Sequence, residues 1–163
     1  MIHADFIEIL VKIFQPKSYL ELGVQEGITF KVIERLVPKA DAVDILKRFN
    51  TNKGIFFQGT TAEFFNQNVN IYDMIFIDAN HDYDFVKYDF KHSLEILSNK
   101  GVLILHDTDP EEKWLLAADR CSDSYRIVNE IDTDKYFTFT FPLTEAGLTI
   151  ITLKSNRRCL EFV

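Results

Sequence analysis

Five short apolar runs punctuate the first two thirds of this chain, and each meets a glycine, an acid or an amide before a helix-period segment begins. Residues 19–24 close through Gly23, residues 42–46 carry Asp44, and residues 55–58 lead from Gln58 into Gly59. Residues 72–78 end on Asp78, and residues 101–106 run into Asp107. Runs of this length with β-branched and aromatic content read as strands buried on both faces. Helical spacing fills the intervals: Phe6, Ile9, Leu10 and Ile13 before Pro16, then Phe30, Ile33 and Val37 before Pro38, then residues 62–66 and 85–97. Strand–helix alternation forces parallel pairing through right-handed crossovers. A helix is expected within residues 114–131, and strands over 136–141 and 147–153, joined by a short loop at 143–146, make an antiparallel hairpin. The expected architecture is α/β: a Rossmann-like doubly wound, mostly parallel seven-stranded sheet with a C-terminal antiparallel hairpin, in one domain spanning residues 1–163.

Charge and composition narrow the function classes. Eighteen Lys and Arg stand against 25 Asp and Glu, a net charge of −7. Nucleic acid demands a basic, phosphate-neutralising face, and this chain has no such stripe. Its longest purely apolar runs, residues 74–77 and 102–105, fall far short of the ~20 residues of a membrane span. The opening MIHADFIEILVK carries Asp5 and Glu8 and lacks the basic start and cleavage site of a signal peptide, so it reads as a helix of the mature protein. Cys121 and Cys159 sit far apart in no metal-like spacing. Reduced thiols in a cytoplasm are the simple reading, with a disulfide as the alternative.

In doubly wound sheets, ligands bind beyond the carboxyl ends of the strands, where strand order reverses. The residues there are rich in carboxylates. The first turn, ELGVQEG, has glycines at 23 and 27 but no third glycine, so the dinucleotide fingerprint is absent. Glu21 and Glu26 would repel a diphosphate. Asp44, ending the second strand, stands where an acid takes ribose hydroxyls. Together these features favour a nucleoside without phosphates.

A second set of acids lies at neighbouring strand ends. Asp78 and Asp107 present two carboxylates, Thr108 adds a neutral oxygen, and the three suit a hard cation such as Mg²⁺ or Mn²⁺. Asp78 can instead bind a cofactor amine or cap the next helix. His81, three residues after Asp78, is placed to take a proton from a hydroxyl. His106, the alternating neighbour of Asp107 on its strand, is expected to point to another side.

ELGVQEG, the acid at Asp44, FFQGTTAEF, DMIFIDANHDYDFVKYDF and GVLILHDT, in that order and spacing, resemble class I S-adenosylmethionine (SAM)-dependent methyltransferases. The likeness is greatest to the small macrocin-type O-methyltransferases with a D-x-x-H-x-Y segment. The resemblance implies that Glu21, Gly23 and Gly27 line the methionine part of SAM, that Asp44 holds its ribose, and that Gln58, Gly59 and Thr60 lie beside adenine. It further implies metal ligation by Asp78, Asp107 and Thr108, with His81 as base and Thr108 in the place of a usual Asn. The function implied is metal-assisted O-methylation of a small hydroxylated acceptor such as a sugar or natural product.

Two other readings stand beside it. A catalytically inactive module binding SAM or another nucleoside would explain how little chain remains for an acceptor lid. Homodimerisation would answer the same shortage by completing the pocket from a second subunit. A nicotinamide oxidoreductase is opposed by the missing glycine and by Glu26.

Overall fold

The computed structural model describes residues 3–142 and 146–154. Strands β1 (Ser18–Leu22), β2 (Lys39–Asp44), β3 (Phe56–Gln58), β4 (Tyr72–Ile77) and β5 (Leu97–His106) pair in parallel. β6 (Tyr136–Phe141) and β7 (Leu148–Leu153) form the antiparallel hairpin, and β7 pairs antiparallel with β5. The order across the seven-stranded sheet is β3-β2-β1-β4-β5-β7-β6. Strand order therefore reverses between β1 and β4, which sets the crevice between Leu22 and Ile77.

Period-two alternation divides the core. On one face, Tyr19, Phe76 and Ile104 pack with Ile7 and Leu10 of α1 (His3–Phe14) and with Phe30 and Ile33 of α2 (Ile28–Leu36). On the other, Leu22, Ile75 and Leu103 meet Phe64 of α3 (Thr61–Gln67) and Phe90 of α4 (Tyr83–Glu95). Each fully buried side chain of this size contributes about 1.5–3 kcal/mol. Both faces are apolar, as the continuous hydrophobic runs require.

Three elements differ from the sequence expectation. β2 stops at Asp44, not at residue 46, because the Asp44 carboxylate accepts the Leu46 N–H and turns the chain out of the sheet. α4 ends at Glu95, and Leu97 pairs with Tyr72 across an irregularity in the β4–β5 register. The helix expected within residues 114–131 is replaced by two 3-10 helices, Lys113–Leu116 and Ser124–Glu130. Short polar side chains here, Ser122, Asp123 and Ser124, bond to other segments and compete with helical backbone pairing. Of the two thiols, Cys121 is free and buried, whereas Cys159 lies outside the described residues.

Candidate active site

The first turn is built by close approach of chain to chain. Gly23 has φ +84°, and a Cβ there would lie 2.1 Å from the Asp78 carbonyl oxygen. Gly27, at φ +71°, would place a Cβ 2.4 Å from the Phe49 ring. Glycine at these positions lets the β1 and β4 turns meet and seats Phe49. Gly27 itself does not border the cleft. Asp44 organises the same loop from β2. Its Oδ2 accepts the N–H groups of Val24 (3.1 Å) and Gln25 (2.8 Å), and its Oδ1 accepts that of Leu46 (2.9 Å).

Two cavities open on either side of this loop. One, of about 550 Å³, is bounded by Asp44, Leu46, Gly59, Thr60, Ala79 and Phe85. Thr60 also caps α3, exchanging bonds with Glu63 in a capping box. Gln58 borders neither cavity, and its amide nitrogen lies 3.5 Å from the Ile45 carbonyl just past the end of the neighbouring β2. The other cavity, of about 740 Å³, holds Glu21, Asp78, His81, His106 and Asp107, with His3 at its wall. Gly23, Gln25 and Asp78 border both. The cavities are two lobes of one cleft.

The second lobe is a compensated cluster of acids and imidazoles. His106 Nδ1 lies 3.1 Å from Asp78 Oδ1 and 3.1 Å from Asp107 Oδ1. His81 Nε2 lies 3.6 Å from Asp78 Oδ1 and 3.3 Å from Asp107 Oδ2. The expectation that His106 turns away from Asp107 is therefore overturned. Alternation fails because Asp107 adopts φ +56°, a left-handed conformation just past the strand end, which redirects its side chain. Thr108 does not join the cluster: its buried hydroxyl accepts from Thr149 Oγ1 at 2.8 Å, and the residue does not border the cleft. The antiparallel β7 supplies that partner, which no reading of residues 101–108 could show.

Each titratable group answers to its neighbours. The hydrogen bond to Asp78 raises the His81 pKa to about 9 against the opposing effect of burial, with Asp107 and the Arg120 carbonyl adding to the rise. For His106, burial lowers the pKa, but Asp78 and Asp107 overcome it and hold the ring protonated up to about 10. Asp78, although desolvated, is kept well below the usual carboxylate range by those two rings. Burial, followed by repulsion from His106, lowers the pKa of His3 and favours its neutral ring. Glu21 is moved strongly upward by burial, even though Tyr19 donates to its Oε2 at 2.6 Å. It is a buried acid set into the cleft floor, where desolvation favours its neutral form.

Sequence reasoning missed several members of this site. His3 reaches it from α1, its ring 4.6 Å from that of His106 and its Nε2 3.0 Å from Thr29 Oγ1. Arg120 and Cys121 arrive from the loop after β5: His81 Nδ1 donates to the Arg120 carbonyl, and Cys121 Sγ lies 3.3 Å from Asp107 Oδ1. Only the fold brings these segments together. Glu130 accepts the Tyr83 hydroxyl at 2.5 Å and pairs with Lys87 at 2.9 Å.

Among the described residues, Asp78, His81 and Asp107 offer ligand atoms within 4.8 Å of one another. Two carboxylates and an imidazole fit a divalent cation tolerant of nitrogen, such as Mn²⁺, better than the all-oxygen shell that Mg²⁺ prefers.

Comparison with known proteins bears on this arrangement. A family described as a methyltransferase domain matches residues 20–108, over half of the chain and the whole span from β1 through the Asp107 turn. No curated protein matches the sequence. An O-methyltransferase from Bacillus cereus, solved in complex with SAH, superposes with TM-score 0.71 at 16% identity, over 93% of this chain and 80% of that one. The SAH-bound methyltransferase PaMTH1 of Podospora anserina gives 0.72 at 16% identity, over 93% and 77%. The O-methyltransferase TomG of Streptomyces achromogenes, involved in tomaymycin synthesis and solved with SAM, gives 0.66 at 16% identity, over 92% and 78%. At these identities the likeness establishes a common fold. No helix among the described residues is long and apolar enough to cross a membrane.

Proposed function

Because this chain belongs to the methyltransferase-domain family, we propose that it is a SAM-dependent O-methyltransferase of a small hydroxylated acceptor, within the macrocin-type subgroup. The observation that carries the reading is the shared wall of the cleft: Gly23, Gln25 and Asp78 border both lobes, so a nucleoside in one lobe adjoins an acceptor in the other. Asp44 uses three of its roughly four acceptor positions on backbone amides, which leaves capacity for a ribose hydroxyl. Gly59 and Thr60 flank the adenine end. Glu21, Gly23 and Asp78 face the amino-acid end.

The sulfonium of SAM supplies an already activated methyl group, so the protein's tasks are to align the acceptor and remove its proton. His81 Nε2 faces the two carboxylates and is the atom that accepts that proton. Asp78 and Asp107 hold the ring protonated at neutrality, so its accepting form grows as pH rises towards about 9. His106 keeps both carboxylates in place without entering the reaction. Asp78 and Asp107 are the carboxylates that would hold a divalent cation, which when bound would polarise an acceptor oxygen and leave His81 Nε2 as the base.

The net charge of −7 favours a small-molecule acceptor over nucleic acid. The reading includes a cytoplasmic setting, in which Cys121 remains a thiol, and homodimerisation as the source of the missing acceptor walls. The test is transfer of labelled methyl from SAM to a panel of hydroxylated sugars and phenols between pH 6 and 10, with and without Mn²⁺. Transfer that increases up to about pH 9 supports His81 as base, and a shift of that increase to lower pH on adding Mn²⁺ supports cation binding. A flat profile removes His81 from that role, and an absence of transfer to every hydroxyl acceptor counts against the O-methyltransferase reading.

A further inference from the structure

Five consecutive residues in the loop after β5, Arg120 to Ser124, each bond to one of two turns that carry the acid–histidine cluster. The Arg120 carbonyl accepts from His81 Nδ1. Cys121 Sγ lies 3.3 Å from Asp107 Oδ1. Ser122 Oγ donates to Asp82 Oδ1 at 3.2 Å, and Asp123 Oδ1 accepts the Tyr83 N–H at 2.7 Å. Ser124 Oγ lies 2.9 Å from the Asp107 carbonyl oxygen and 2.7 Å from that of Cys121. The bonds fall on residues 81–83 at the end of β4 and on Asp107 at the end of β5. A loop that merely covered the sheet would satisfy its polar groups internally or in water.

We propose that residues 120–124 form a positioning clasp, which fixes the orientation of the His81 ring and holds Asp107 in its left-handed conformation. The proposal rests on the methyl-transfer reading for its purpose, but its geometry stands apart from it. A backbone carbonyl only accepts, so the Arg120 contact fixes the proton on His81 Nδ1 and leaves Nε2 as the atom that exchanges protons beside Asp78 and Asp107. Left-handed φ at a non-glycine residue is strained and persists only where its surroundings impose it. At Asp107 the imposing contacts are the Ser124 hydroxyl on its carbonyl and the Cys121 thiol on its carboxylate. Asp123 is the clasp's half-buried anchor: it borders neither lobe of the cleft and touches none of the reacting groups. Misplacing a reacting group by about 1 Å can cost a hundredfold in rate, so such a clasp has a function to serve.

The test reads the His81 Nδ1 proton directly by imidazole ¹H–¹⁵N spectroscopy, with assignment by its loss in His81→Gln. In the wild-type protein this proton should exchange slowly with water. Asp123→Ala and Ser124→Ala should speed its exchange at least tenfold, whereas Asp123→Asn, which keeps an oxygen for the Tyr83 N–H, should restore it to within twofold. SAH affinity by calorimetry should stay within twofold of wild type in all three variants, because the clasp adjoins the other lobe. A fast-exchanging proton in the wild type would overturn the proposal. So would unchanged exchange in Asp123→Ala, or an Asn variant as fast as the Ala variant. Should Ser124→Ala fail to fold, the Asp123 pair decides alone. A wild-type protein that does not bind SAH defeats the methyltransferase reading, and the exchange pattern still decides whether the clasp exists.

Discussion

The two lobes of the cleft are held by opposite means. In the lobe beside β2, one carboxylate organises backbone: Asp44 gathers three amides and has no cation against it among its hydrogen-bonded partners. In the lobe beside β5, side chains organise one another, two carboxylates against two imidazoles, with His106 Nδ1 equidistant from both acids. A lobe of the first kind is a rigid receptor whose polar groups are aimed before a ligand arrives. A lobe of the second kind stores protons and releases them to a change in local charge. On the proposed reading, binding belongs to the first and proton transfer to the second.

Asp44→Ala should break this contrast most severely. It removes charge-assisted bonds worth about 1.5–3 kcal/mol each and releases the loop, so SAH affinity should fall about a thousandfold, equivalent to about 4 kcal/mol. Calorimetry reads the loss, and imidazole spectra should show His81 and His106 still titrating high. Asp78→Asn tests the shared wall. It should lower methyl transfer at least a hundredfold while SAH affinity changes less than tenfold, and both imidazole pKa values should move back towards 6.5. Equal losses in rate and affinity would mean that the lobes are not separable.

The pH dependence of stability sharpens the comparison further. Asp78 has a lowered pKa in the folded state, so its contribution is present above its unfolded value of 3.8 and is lost as the solution becomes more acid. His81 and His106 have raised pKa values, so theirs is complete below 6.5 and is lost as pH rises through about 9 and about 10. Thermal midpoints should therefore be highest between about pH 4.5 and 6.5 and decline towards pH 10, with a shallower alkaline decline in His106→Gln. The smallest effect is expected at Glu21. Its pKa is raised on folding, so it stabilises below 4.5 and that contribution is lost as pH rises. Glu21→Gln keeps an acceptor for Tyr19 and should raise the thermal midpoint at pH 8 by about 2–4 °C, a gain that vanishes towards pH 4.

Legibility in the sequence follows the same division. Runs such as residues 72–77 announce buried strands by composition alone, and parallel order follows from alternation with helices. Glu21, Asp44, Gly59, Asp78, His81 and Asp107 are legible as candidate site residues because they lie at or just past strand ends, and the fold gathers them around the cleft. What escaped was set by contacts distant in sequence. His106 enters the cluster through the backbone reversal at Asp107, and Thr108 is drawn away by Thr149 on β7. A helix is expected within residues 114–131, yet the short polar side chains there serve the turns at 81–83 and 107. Gly23 and Gly27, expected to line a cofactor, also answer to packing that the sequence does not show: they admit the Asp78 turn and Phe49.

Calorimetric titration of the wild-type protein and of Asp44→Ala with SAH, and separately with NADH, tests the central claim most directly. The account predicts saturable one-site binding of SAH by the wild type, its loss in Asp44→Ala, and no binding of NADH by either. Saturable NADH binding, or SAH binding that survives Asp44→Ala unchanged, would contradict it.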